Sequence, residues 1–153
     1  MASASVAAAP NLHCVLQAPA RVAVGKPVPL RFTLMNRGPV ALHVLEWNTP
    51  FEGWFGAYVE VTRDGLALSY RGPMVKRGDP SADEYLTLAA GKSRGASVDL
   101  VQPFDLTQPG HYRVQPRLTL FDVVAGRAAR PRSAHTPFAL GCNAVEVEIV
   151  APR

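Results

Sequence analysis

No apolar run in this sequence approaches the roughly 20 residues that a membrane-spanning helix needs, so no membrane partner is predicted. Absent too are H-E-x-x-H, G-x-S-x-G, the P-loop and G-x-G-x-x-G, and with them the common hydrolase and nucleotide-binding chemistries. The four histidines, His13, His43, His111 and His135, stand apart from one another, and a lone strand histidine is usually structural or solvated. Ser, His and Asp all occur, but nothing in the sequence places them together. The adjacent acids Asp83 and Glu84 read as a solvated or capping pair. No catalytic residue is therefore assigned, and the chain is read as a non-enzyme without a cofactor. No C-x-x-C or H-x-x-x-H spacing exists, so no metal site is assigned either.

The cations exceed the acids, 16 Lys and Arg against 12 Asp and Glu, but they form no stripe. They scatter apart from Lys76-Arg77 and the group Arg127, Arg130, Arg132, and few aromatics interleave with them. Nucleic acid is not a predicted partner. Residues 1–10 are small and lack both the charged n-region and the apolar h-region of a signal peptide. A disordered tail is expected over 1–11, and one domain over 12–153.

What is present points to β structure. Hydrophobic residues make up 48% of the chain and charged residues 18%, and 14 Pro and 12 Gly are spread along it, as short strands joined by turns require. Strands are predicted at 12–18, 28–36, 40–47, 55–63, 66–70, 85–88, 93–100, 111–120 and 144–150. In the second, Val28, Leu30, Phe32 and Leu34 share one face. In the last, Val145, Val147 and Ile149 oppose Glu146 and Glu148. Asp64-Gly65 is a hairpin signal, residues 81–84 allow one helical turn, and 121–141 reads as a long exposed loop. Tyr112 follows Pro109-Gly110 as a tyrosine corner does. About eight or nine strands with no long helix predict an all-β, immunoglobulin-like antiparallel sandwich.

The two cysteines, Cys14 and Cys142, each adjoin a terminal strand, and in a sandwich the first and last strands often lie close. We read them as a disulfide, worth roughly 4 kcal/mol in the chain-entropy account and implying an oxidising compartment. Two separate, partly buried thiols are the alternative.

The segment Tyr70-Arg71-Gly72-Pro73-Met74-Val75-Lys76-Arg77-Gly78-Asp79-Pro80 is bracketed by Gly and Pro and must be a shaped loop. It presents two apolar residues and two cations from its middle. A plain solvated connector is the competing reading.

Several stretches in order resemble the pro-domain of bacterial deuterolysin-type (aspzincin) zinc endopeptidases. They are Leu45-Glu46-Trp47-Asn48-Thr49-Pro50-Phe51-Glu52-Gly53, Val61-Thr62-Arg63-Asp64-Gly65, Tyr70 through Gly78, Tyr85 through Ser93, Val98-Asp99-Leu100, Phe104 through Val114 and Asn143 through Val147. The resemblance covers about 12–150, and its more specific parts are W-x-T-P-x-E-G and Y-x-G-P-x-x-K-R-G. The insertion after Leu120 and the two cysteines depart from the pattern.

The resemblance implies a domain that binds such a protease and keeps it inactive, in the periplasm or outside the cell. Partner-binding residues then fall in two loops: Trp47, Thr49, Pro50, Phe51, Glu52 and Trp54, and Gly72, Pro73, Met74, Val75, Lys76 and Arg77. The two loops are expected to lie near each other. Trp47, Phe51, Trp54 and Met74 are the expected apolar anchors. Lys76 is a candidate substrate mimic, because these enzymes are associated with cutting beside basic residues, and Glu52 is a candidate to approach the zinc. Core roles for Trp47 and Trp54 compete with this. The other function classes are an adhesion or assembly module and a metal chaperone using His13, Cys14 and Cys142.

Overall fold

The computed structural model describes residues 10–126 and 129–152. The elements run β1 (Leu12–Gln17), β2 (Arg21–Ala23), β3 (Pro29–Asn36), β4 (Leu42–Leu45), β5 (Val59–Arg63), β6 (Leu66–Ala67), β7 (Tyr85–Leu88), β8 (Ser93–Asp99), β9 (Gly110–Pro116), β10 (Leu118–Leu120), β11 (Val123–Val124), β12 (Phe138–Leu140) and β13 (Val145–Val150). A 3₁₀ turn, Ala82–Glu84, precedes β7, and a second, Arg132–Ala134, precedes β12. In the first, the Glu84 carboxylate takes the Ser81 N–H at 3.0 Å, so one of the two adjacent acids caps the turn.

The protein is an immunoglobulin-like β-sandwich. A five-stranded sheet in the order β2-β13-β9-β5-β6 packs against a layer made of β1-β3-β8 and β11-β4-β7, and β10-β12 forms a small ribbon. All pairings are antiparallel except β13 with β2. Period-two alternation fixes the faces. Leu30, Phe32 and Leu34 of β3, Tyr112 and Val114 of β9, Val59 and Val61 of β5, and Val147 and Ile149 of β13 all point into one core. Each fully buried side chain of this size contributes about 1.5–3 kcal/mol.

Eight of the nine predicted strands are present as single strands, most trimmed at the ends, while the stretch expected as one strand over 111–120 divides into β9 and β10, which belong to different sheets. Three short strands were not legible: β2, and β11 and β12 inside the stretch expected as an exposed loop. The expectation for 121–141 is corrected, since Asp122 is fully buried and Leu140 nearly so. The predicted tail falls mostly on residues outside the described ones, as does Arg127. Asn11, however, accepts a bond from the Arg37 N–H at 2.8 Å.

Local chemistry ties the layers together. Cys14 and Cys142 form a disulfide that joins β1 to the approach of β13. Next to it, the Asn143 side chain accepts from the Leu16 N–H and donates to the Leu16 carbonyl, both at 2.9 Å. A side-chain amide thereby stands in for a strand neighbour of β1. Tyr112 donates its hydroxyl hydrogen to the Gln108 carbonyl at 2.6 Å, the tyrosine-corner geometry. Asp64 and Gly65 have φ of 47° and 85°, as the two-residue β5–β6 hairpin demands.

Candidate functional site

Two loops leave the same region of the sandwich. Loop 46–58 runs from β4 to β5, and loop 68–81 runs from β6 toward β7. In the first, Thr49 starts a turn by donating its hydroxyl to the Glu46 carbonyl at 2.7 Å, while its oxygen accepts the Phe51 N–H at 3.2 Å. Asn48 has a left-handed φ of 56°, and its N–H is taken by the Glu52 carboxylate at 2.8 Å. The carboxylate is thereby fixed by the turn it closes.

That carboxylate is the meeting point of the loops. Arg77 makes an ion pair with Glu52, and the side chains are only 22% and 13% exposed. The Arg77 guanidinium also lies 5.0 Å from the centre of the Trp47 ring and 6.0 Å from that of Phe55. A cation over an indole face adds about 0.5–2 kcal/mol. Arg132 reaches in from the later part of the chain. Its guanidinium donates to the Arg77 carbonyl at 2.5 Å, and its own N–H goes to Asp79 at 2.8 Å.

The other flank of the loop is held by different residues. The Tyr70 hydroxyl donates to the Pro73 carbonyl at 2.7 Å, and the Arg71 N–H donates to the Pro103 carbonyl at 2.8 Å. Between the flanks Met74, Val75 and Lys76 stand in solvent, Met74 at 79% exposure. Beside them opens a groove of about 650 Å³, lined by Trp47, Val75, Lys76, Arg77, Phe121, Arg132, His135 and Pro137.

The floor of this groove is a second small core. Leu45, Trp47 and Tyr85 are buried, with Phe121, Val124 and Ala129 packed on them. Trp47 meets Phe121 and His135 edge to face. The segment that covers this core is clamped by Asp122. Its carboxylate takes two bonds from Arg130, one from the Tyr85 hydroxyl at 2.7 Å and one from the Thr136 N–H at 3.1 Å.

Burial alone would raise the Asp122 carboxyl. The bonds from Arg130, Tyr85 and Thr136 outweigh it and hold the group below the usual carboxylate range. Tyr85 is pushed up to about 12 by burial and by its bond to Asp122. Glu46, half-buried near Glu52, is raised first by burial and then by that like charge. Among the described residues, Trp47 Nε1 is the buried side-chain polar atom without a hydrogen-bond partner.

The structure brings the two predicted loops together through Glu52 and Arg77, but it divides the predicted contact residues. Trp47 and Trp54 are 3% and 7% exposed, and Thr49 and Pro50 are buried. Trp54 stacks on Tyr58 with ring centres 4.5 Å apart and donates to the Asp99 carbonyl at 3.1 Å. Phe51 packs on Phe32 and is half-buried. Burial gives Trp47 and Trp54 the competing core role, while Phe51 is only partly withdrawn from solvent. Glu52 is engaged by Arg77 and Asn48, so an approach to zinc would require breaking both contacts. Gly72 is half-buried, while Pro73, Met74, Val75 and Lys76 remain exposed. Phe55, Arg132, His135 and Phe121 had no sequence signal as site residues. Among the described residues no group of three or more His, Cys, Asp or Glu is placed to hold a metal ion. Cys14 and Cys142 are consumed by the disulfide, which removes the thiols that a metal-chaperone reading needs.

No family model matches the chain. A stretch of 109 residues, 70% of the chain, is 30% identical to an extracellular protease of Aeromonas hydrophila and spans 30% of that protease's length. Among solved structures, the CARDB domain of the PF1109 protein from Pyrococcus furiosus, in complex with di-metal ions, has a TM-score of 0.41 and 16% identity over 94% of this chain and 96% of that one. The β-glucosidase of Listeria innocua has a TM-score of 0.39 and 12% identity, with 94% of this chain matched to 16% of that one. At these TM-scores the overlap is loose and carries no functional information. The chain is an immunoglobulin-like domain with sequence similarity to part of an extracellular protease.

Proposed function

We propose that this domain binds a zinc endopeptidase of deuterolysin type and blocks it by placing loop 72–80 in its cleft. The observation that carries the reading is the exposed Met74-Val75-Lys76 segment held between fixed flanks. An apolar pair followed by a free cation offers a cleft both hydrophobic area and a charge. Fixed flanks lower the ordering cost that a flexible peptide meets on binding. Glu52 and Trp47 act from below by seating Arg77, and Trp54, Thr49 and Pro50 shape the platform. The similarity to part of an extracellular protease supports a partner of that class, and the disulfide suits a periplasmic or secreted setting.

The test is a titration of the full chain against a deuterolysin-type zinc protease, with thermolysin as the control. The expected result is stoichiometric, selective inhibition that weakens when Met74, Val75 and Lys76 are replaced together by Ser. No inhibition and no complex on gel filtration would leave an adhesion or assembly module as the better reading.

A further inference from the structure

Loop 72–80 is pinned on both sides of a short free segment, and the pins differ in kind. Upstream, the last fixed point is the Pro73 carbonyl, held by Tyr70. Downstream, the first is Arg77, whose guanidinium is engaged by Glu52 and Trp47 and whose carbonyl is held by Arg132. Only Met74, Val75 and Lys76 lie between these points. Resting on the inhibitory reading above, we propose that Lys76 is the residue presented to the protease as substrate, that one of its two peptide bonds is cut slowly, and that the cut chain stays assembled and inhibitory.

The step itself is ordinary hydrolysis. One water is added across the C–N bond of Val75–Lys76 or of Lys76–Arg77. The acyl side leaves as a carboxylate and the amino side as an ammonium group. The protease supplies the catalytic centre, and no oxidant or further reactant is needed.

Three features of the fold keep the products in place. The disulfide joins Cys14 to Cys142, so the two pieces remain covalently linked whichever bond of Lys76 is cut. The strands of the two pieces also interleave: β3 pairs with β8, β4 with β7, and β5 with β9 across the cut. Finally, the downstream piece is anchored at or one residue after its new amino terminus. Such proximity raises the effective concentration of the amine at the acyl centre and favours reversal over release.

The experiment incubates the intact chain with an equimolar deuterolysin-type zinc protease and follows three readouts over time. These are residual protease activity, non-reducing and reducing gels, and the mass of each fragment. The expected result is persistent inhibition, with one band near the full 16.4 kDa without reductant and, with it, a band near half that mass that mass spectrometry separates into two fragments. The new amino terminus should be Lys76 or Arg77. Lys76→Ala should weaken inhibition about thirtyfold, as loss of a central hot spot does, while leaving thermal stability unchanged. A chain that inhibits but stays intact, is cut elsewhere, or loses inhibition once cut overturns this inference and leaves the inhibitory reading standing. Absence of both inhibition and complex overturns the two together.

Discussion

Replacing Glu52 by Gln should loosen the loop without disturbing the main core. The amide oxygen of Gln can still accept the Asn48 N–H, which Glu52 takes at 2.8 Å, so the left-handed turn at Asn48 keeps its partner. What disappears is the charge opposite Arg77. A hydrogen bond to a charged group contributes about 1.5–3 kcal/mol. The pair is 22% and 13% exposed, so water returns part of this, and a cost of about 1.5 kcal/mol is expected.

Arg77→Ala should cost more, about 2–3 kcal/mol. It also removes the contact 5.0 Å above Trp47 and leaves the Glu52 carboxylate with little solvent. Urea denaturation followed by circular dichroism measures both variants, and the double variant closes a cycle. A coupling of about 1–2 kcal/mol is expected. If Glu52→Gln lies within about 0.3 kcal/mol of the parent, or the two changes simply add, the pair does not hold the loop and the reasoning fails.

The remaining predictions concern the frame. Asp122 has its pKa depressed by folding, so it contributes stability above the unfolded value of about 3.9 that is lost as pH falls through the lower folded value. Asp122→Asn should cost about 3 kcal/mol at pH 7 and flatten the stability profile below pH 4, read by denaturation at stepped pH. Tyr85 works in the opposite sense. With its pKa raised to about 12, its contribution is complete below pH 10 and is lost between about 10 and 12, so Tyr85→Phe should shrink the alkaline loss. Removing the disulfide with Cys14→Ser and Cys142→Ser opens a loop of sequence separation 128 and should lower stability by about 4–5 kcal/mol, seen as an earlier urea midpoint with reduced cooperativity. Tyr112→Phe removes the 2.6 Å bond to Gln108 and should cost about 1 kcal/mol; an unchanged melting temperature would show the corner to be decorative.

Much of the frame was legible because it obeys period two. Leu30, Phe32 and Leu34, or Val147 and Ile149, announce a face without any knowledge of the partner strand. Asp64-Gly65 and Pro109-Gly110 with Tyr112 announce their turns in the same way. β11 and β12 were hidden because two- and three-residue strands carry no period, and Pro131, Pro137 and the arginines mimic a solvated loop. What orders that stretch is Asp122 buried against Arg130, and a carboxylate does not declare in sequence that it will be buried. The same blindness affected the site. Trp47, Phe51 and Trp54 read as anchors because large aromatics serve both interfaces and cores, and only the placement of Phe32, Tyr58 and Arg77 around them separates the two uses. The exposure of Met74 and Lys76 was legible because Gly and Pro on both sides mark a loop.

The position of Trp47 has an optical consequence. The chain has two tryptophans, and they sit in different surroundings. Trp54 is stacked on Tyr58 in the main core, so its emission follows global unfolding. Trp47 lies under the Arg77 guanidinium with its indole N–H unpaired, so its emission follows the seating of the loop. A Trp54→Phe chain would therefore carry a built-in fluorophore beneath the segment proposed to meet the partner. The proposed docking and cutting would then be readable in real time without an added dye.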